Sequence, residues 1–123
     1  DIITRIRKAG IDKPIIGFPR GAGLNAIRYA HETGITAIAA GTQMPLDDFR
    51  CAIPENMPVQ GNLDPLALRI GGDVLRKAVD RVLEDGKNGP HIFNLGHGVT
   101  PDVKIDNVQA VVNHIRGKEA RYV

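Results

Sequence analysis

One histidine in this sequence is framed for chemistry. In the run His91-Ile92-Phe93-Asn94-Leu95-Gly96-His97-Gly98-Val99-Thr100-Pro101, three apolar residues lead into a glycine-framed loop. Ile92, Phe93 and Leu95 favour a short buried strand. Gly96 and Gly98 allow a ligand or a second segment to come close. Between them stands His97, the side-chain type whose ordinary pKa lies nearest neutrality and which therefore exchanges protons most readily. A histidine just past a strand end is where α/β folds place chemistry. A turn histidine that hydrogen-bonds its own loop fits the same residues equally well.

Other polar residues stand at similar points in the chain. Arg20 follows the apolar run Ile15 to Phe18, and Thr42 and Gln43 follow Ile35 to Ala40. Gln60 and Asn62 follow Met57 to Val59, and Asn94 lies beside His97. Gathered at one mouth, this set would hold one proton carrier and one guanidinium and would suit an anionic ligand, because arginine binds carboxylate through two parallel hydrogen bonds. The candidates are thus His97 as catalytic residue and Arg20, Gln60, Asn62, Asn94, Gly96 and Gly98 as substrate-binding residues. Each has a structural alternative: Arg20 as a solvated loop residue, and Asn62 and Asn94 as partners of strand-end backbone. Asp64 reads as a helix cap only.

Several chemistries are excluded or weak. The chain contains no serine, so serine nucleophiles are out, and no glycine run followed by Lys and Ser or Thr forms a phosphate-cradling loop. No two of the four histidines share a four-residue helical spacing and Cys51 is the single cysteine, so no metal site is expected. That single cysteine also fits a reducing cytoplasm. The formal charge is +2 with basic and acidic residues interleaved, which gives nucleic-acid binding little support. No apolar run approaches the roughly 18 residues needed to span a membrane.

These residues need elements to position them. Ile2, Ile3 and Ile6 fall at helical spacing, and Gly10 closes that segment. Ile15 to Phe18 reads as a strand buried on both faces, followed by a helix presenting Leu24, Ile27, Ala30 and His31. Ile35 to Ala40 is the second strand, and Leu46 to Ile53 a short helix stopped by Pro54. Met57 to Gln60 is the third strand, with Gly61 to Pro65 as the turn after it. Asp64 caps the next helix and Pro65 takes its first position, where a missing N–H costs nothing. That helix breaks at Gly71-Gly72. Asp73 caps a longer one reaching Glu84, with Leu75, Ala78, Val79, Val82 and Leu83 on its stripe. After the central strand, a last helix from Lys104 to Ile115 turns Ile105, Val108, Val111, Val112 and Ile115 toward the core. Residues 118–123 read as a loose tail.

Four repeats of strand, loop and helix imply parallel strands with right-handed crossovers. No strand carries a G-x-G-x-x-G turn, and the strand ends are rich in glycine and polar residues, which favours part of a (β/α)8 barrel over a doubly wound sheet. Four units are half a barrel, with two parallel edges unpaired. The chain also starts at Asp1 within a helical pattern, which suggests a piece of a longer protein.

Three stretches carry a resemblance. Pro14-Ile15-Ile16-Gly17-Phe18-Pro19-Arg20-Gly21-Ala22-Gly23 is similar to a segment common in bacterial members of the uroporphyrinogen decarboxylase family. Val59-Gln60-Gly61-Asn62-Leu63-Asp64-Pro65 resembles its most recognisable C-terminal motif, and Asn94-Leu95-Gly96-His97-Gly98 followed by Pro101 resembles its C-terminal signature. Gly41 departs from the pattern, standing where bacterial members often carry an acidic residue. The resemblance implies that residues 1–123 are the C-terminal third of a single (β/α)8 barrel, about strands five to eight, which needs the missing N-terminal part of the same barrel. It implies a cytoplasmic homodimer that removes the four acetate carboxyls of uroporphyrinogen without metal or organic cofactor. Of the family's active-site residues only the C-terminal histidine carries over, onto His97; an aspartate holding the pyrrole N–H groups, a tyrosine and the arginines, one usually assigned the acid role, belong to the N-terminal part. Two rivals stand beside this reading. The barrel-sharing corrinoid or thiol methyltransferases bind zinc through a cysteine where this chain has His97, and a 123-residue piece could be an assembly unit without activity.

Overall fold

The computed structural model describes residues 2–117; the expected loose tail, residues 118–123, lies outside the described residues. In chain order the elements are α1 (Ile2–Lys8), β1 (Ile16–Gly17), α2 (Asn25–Glu32), β2 (Ala37–Ala39), α3 (Leu46–Ala52), β3 (Val59–Leu63), α4 (Pro65–Ile70), α5 (Gly72–Asp85), β4 (His91–Leu95) and α6 (Ile105–Ile115). A short 3-10 turn, Gly86–Asn88, precedes β4. The four strands form one sheet in the order β1-β2-β3-β4, every pair parallel. This is the α/β alternation the sequence patterning predicts.

The unbroken strand order has a consequence for layering. Right-handed crossovers that always step to the next strand put their helices on the same face of the sheet. Register partners share a face, so Ile38, Val59 and Leu63 point one way and Ile16, Ala37, Gln60 and Ile92 the other. The first row is covered: Ile38, Val59 and Leu63 are almost fully buried with Leu75 and Val79 of α5. On the second row Ile16 and Ile92 keep 47% and 42% of their surface open. The expectation that the first strand is buried on both faces is therefore corrected, because no helix covers that side among the described residues.

Other elements differ from the sequence reading in detail. β3 runs through Leu63, so Gly61 and Asn62 belong to the strand rather than to the turn after it. On α2 the buried positions are Ala26 and Ala30, while Leu24 precedes the helix and is 73% exposed. Gly71 takes the N-cap position of α5, and Asp73 lies in its first turn. The largest shift is on α6, whose buried residues are Asn107, Ala110 and Val111. Asn107 is fully buried and donates from Nδ2 to the Leu68 carbonyl at 2.9 Å. That bond and the packing on α4 and α5 turn the helix so that Ile105, Val108 and Ile115 face outward. Asp64 does cap α4, accepting from the Leu66 N–H at 2.8 Å, with Pro65 at the first position.

Arg50, on α3, fastens the opposite ends of the strands. Its guanidinium donates to the carbonyls of Met57 at 2.6 Å and Pro90 at 2.5 Å, just before β3 and β4. Burial pushes its pKa down from the ordinary value, yet a guanidinium keeps its charge at any physiological pH. Gly89 leaves room for it: a Cβ there would lie 3.0 Å from the guanidinium carbon.

Candidate functional site

The C-terminal ends of β1, β2 and β4 open onto one cleft of about 430 Å³. The loop after β1 supplies Phe18 to Leu24, the loop after β2 supplies Gly41 to Met44, and the loop after β4 supplies Gly96 and His97. Ala26 of α2 and Phe49 of α3 close the floor. The wall is mostly backbone and apolar side chain, with Arg20 and His97 as the groups able to carry positive charge and no carboxylate among the lining residues.

The loops meet because small residues let them. A Cβ on Gly96 would fall 2.8 Å from Thr42 Cγ2 and 2.9 Å from the Thr42 nitrogen. The loop after β4 thus reaches across the end of β3 to the loop after β2. The Gly96 N–H donates to the Leu63 carbonyl at 2.8 Å, which extends the β3–β4 pairing by one residue. His97, next in sequence, is held on the cleft edge.

Among the described residues His97 makes one hydrogen bond, Nδ1 to the Gly98 carbonyl at 3.3 Å. A carbonyl can only accept, so this contact keeps the Nδ1 proton and leaves Nε2 for a ligand. Arg20 sits in a turn closed by its own N–H to the Phe18 carbonyl at 2.8 Å. Among the described residues its guanidinium has no hydrogen-bond or ion-pair partner. A free guanidinium and an open imidazole nitrogen in a mainly apolar cleft can bind a carboxylate attached to an apolar body.

The remaining candidates lie apart from this cleft. Gln60 and Asn94 are on the uncovered sheet face; Asn94 is exposed and its Oδ1 accepts from the Leu95 N–H at 2.8 Å. Gly98 has open space where a Cβ would go. Asn62 donates from Nδ2 to the carbonyls of Gly41, at 3.1 Å, and Met44, at 2.8 Å, and lines a smaller cleft of about 220 Å³ beside α5. Of the seven candidates, the structure brings Arg20, Gly96 and His97 together.

Sequence reasoning missed Leu24 and Phe49 as cleft walls. Phe49 was findable, three residues after Leu46 on the inward stripe of α3. Leu24 reads as helix core and becomes wall because the chain enters α2 one residue later. The other histidines are occupied elsewhere. His91 Nε2 donates to the Gly61 carbonyl at 2.6 Å, His31 Nε2 meets the Ala52 carbonyl at 3.1 Å, and His114 Nε2 lies 2.8 Å from Asp80. Among the described residues no three His, Cys, Asp or Glu side chains converge on a metal position, and no helix is long and apolar enough to cross a membrane.

Comparison with known proteins bears on the whole of this arrangement. The sequence model of the uroporphyrinogen decarboxylase family matches residues 1–117. Uroporphyrinogen decarboxylase of Maricaulis maris is 52% identical over 117 residues, covering 95% of this chain and 34% of its own length. That of Sphingopyxis alaskensis is 45% identical, covering 94% and 34%, and that of Caulobacter vibrioides 45% identical, covering 96% and 33%. The chain therefore spans about a third of the length of the curated relatives it matches.

Proposed function

This chain belongs to the uroporphyrinogen decarboxylase family, and on that premise we propose that the complete protein is a carboxy-lyase of porphyrin and haem biosynthesis. It removes the four acetate carboxyls of uroporphyrinogen III and yields coproporphyrinogen III. The observation that carries this reading is the cleft itself. It has apolar walls and no carboxylate among its lining residues, and it holds Arg20 and the Nε2 of His97, both without a partner among the described residues. A tetrapyrrole edge, apolar in its rings and anionic at its acetates and propionates, matches those surfaces.

The reaction asks little of the protein in bond-making. Protonation at a pyrrole α-carbon turns the ring into an electron sink. The bond between the acetate methylene and its carboxylate then breaks, CO2 leaves, and the electron pair enters the ring. A proton delivered to the methylene gives the methyl group, and loss of the α-carbon proton restores the aromatic ring. No metal or organic cofactor is needed, since the protonated pyrrole accepts the electrons. A buried carboxylate aimed at the pyrrole N–H groups would stabilise the cationic ring, and the resemblance assigns that group to the N-terminal part of the protein. We assign His97 to holding a substrate carboxylate and Arg20 to the same task on the opposite wall. The rival zinc methyltransferase would need a thiolate where this chain has His97, whereas the single cysteine, Cys51, stands exposed on α3.

We also infer that this chain is the C-terminal portion of a (β/α)8 barrel. The outer edges of β1 and β4, the open row with Ile16 and Ile92, and the outward stripe of α6 are surfaces that the preceding two-thirds would cover. The 123-residue chain alone lacks most of the pocket and turns over no uroporphyrinogen. The complete protein is a cytoplasmic homodimer, which light scattering would check. The deciding assay incubates the complete protein anaerobically with uroporphyrinogen III and separates the oxidised porphyrins. Hepta- through tetracarboxylate products are expected; a folded protein giving none would remove the decarboxylase reading.

A further inference from the structure

Asn62 sits in the strand stretch that resembles the family's most recognisable C-terminal motif, yet its side chain is turned to backbone. Its Nδ2 has two protons, and both are taken, by the carbonyls of Gly41 at 3.1 Å and Met44 at 2.8 Å. Those two carbonyls bracket Thr42 and Gln43, which form the cleft wall after β2. Thr42 in turn packs on Gly96, the residue before His97. A single amide on β3 thus fixes a loop that belongs to its neighbour strand and, through that loop, the approach of the loop after β4.

We propose that Asn62 is a positioning residue: it clamps the Gly41–Met44 loop so that Thr42 and Gln43 are presented to the substrate, without touching the substrate through its amide protons. The proposal rests on the decarboxylase reading only for its kinetic readout. The residue type follows from the geometry. Alanine removes both donors. An ionised aspartate would aim acceptors at two carbonyls, whereas a protonated one keeps a single O–H donor.

The test uses the complete protein as Asn62→Ala and Asn62→Asp, at a temperature where each is folded. Backbone amide exchange at Thr42, Gln43 and Met44 should quicken about tenfold or more in Asn62→Ala, since the bonds that close the loop are gone. With uroporphyrinogen III, KM should rise about tenfold while kcat stays within about threefold, the pattern of a lost binding surface. Asn62→Asp should match the alanine variant at neutral pH and recover toward wild type as acid protonates the new carboxyl, a pH limb that Asn62→Ala lacks. If the alanine variant does not fold, the aspartate variant at low and neutral pH supplies the same comparison. Unchanged exchange in the loop would overturn the clamp, and a fall in kcat with unchanged KM would move Asn62 into the chemistry and overturn the assignment. A wild-type protein that turns over no uroporphyrinogen would remove the decarboxylase reading instead, and the exchange measurement would still decide the clamp.

Discussion

Two strand ends in this molecule look alike in sequence and behave differently. The end of β3, Gly61-Asn62-Leu63-Asp64, and the end of β4, Asn94-Leu95-Gly96-His97-Gly98, are both built from Gly and Asn around a leucine. At β3 the polar groups are committed to scaffolding. The Gly61 carbonyl accepts from His91, Asn62 spends both amide protons on the β2 loop, and Asp64 caps α4. At β4 the side-chain bonds are short-range: Asn94 reaches its neighbour's N–H and His97 its neighbour's carbonyl. The first end holds the cleft together, and the second leaves polar atoms available to a ligand. Motif prominence and substrate contact are thus separate properties, because a buried polar group must be satisfied wherever it stands, whereas a binding group must be left free.

Substitutions along the two ends would sharpen or break this contrast. Gly61→Ala should do the most damage. Its φ is +132°, and a Cβ would meet the Ala40 carbonyl at 2.8 Å, so a loss of about 3 kcal/mol is expected in denaturant unfolding of the complete protein. Gly96→Ala comes next. The clash is with Thr42 across the loop contact, and about 2 kcal/mol of stability should go together with substrate affinity. If it bound substrate normally, the loop contact would not be shaping the cleft.

His97→Asn tests availability rather than scaffolding. On the proposed decarboxylase reading, stability of the complete protein should hold and its turnover persist within about tenfold, with partly decarboxylated porphyrins accumulating in a changed order; abolished turnover in a folded variant would assign His97 to proton transfer instead. Gly98→Ala should be almost silent, within about 0.5 kcal/mol, because its Cβ enters open space. Any larger shift in melting temperature would mean that this loop is packed after all.

The smallest effect belongs to the segment after β4. A hydrogen bond from Thr100 foremost, then one from its own backbone N–H, and last the Arg69 guanidinium 2.5 Å away, hold the exposed Asp102 carboxyl below its ordinary range. A depressed carboxylate pKa stabilises the fold above the unfolded value of about 4 and is lost as pH falls through the lower folded value. Melting curves of wild type and Asp102→Asn should therefore differ slightly near neutrality and converge in acid. A gap that persisted at low pH would show that charge is not its source.

Much of the architecture was legible because it follows from local rules. Strand–loop–helix alternation, the Asp64-Pro65 helix start and the glycine-framed His97 are short-range patterns, and each reappears in the structure. The helix faces were less legible. Val108 and Ile115 have the spacing of core residues on α6, but the buried amide of Asn107 wins the inward position because its hydrogen bond to Leu68 is available only once α4 is in place.

By itself the sequence determined the order of elements, the all-parallel pairing and the histidine at a strand end, since each depends on neighbours within a few residues or on the handedness of a crossover. Only the tertiary structure decided which polar strand-end groups are spent and which are free. Asn62 and Asn94 are the same residue type at paired positions of adjacent strands, but past the cis Gly61–Asn62 peptide the partners no longer share a face: Asn62 lies beside α5 and Asn94 on the open side. What separates them is the pair of carbonyls that the β2 loop brings within 3.1 Å of one and not of the other, a contact between residues some twenty positions apart in the chain.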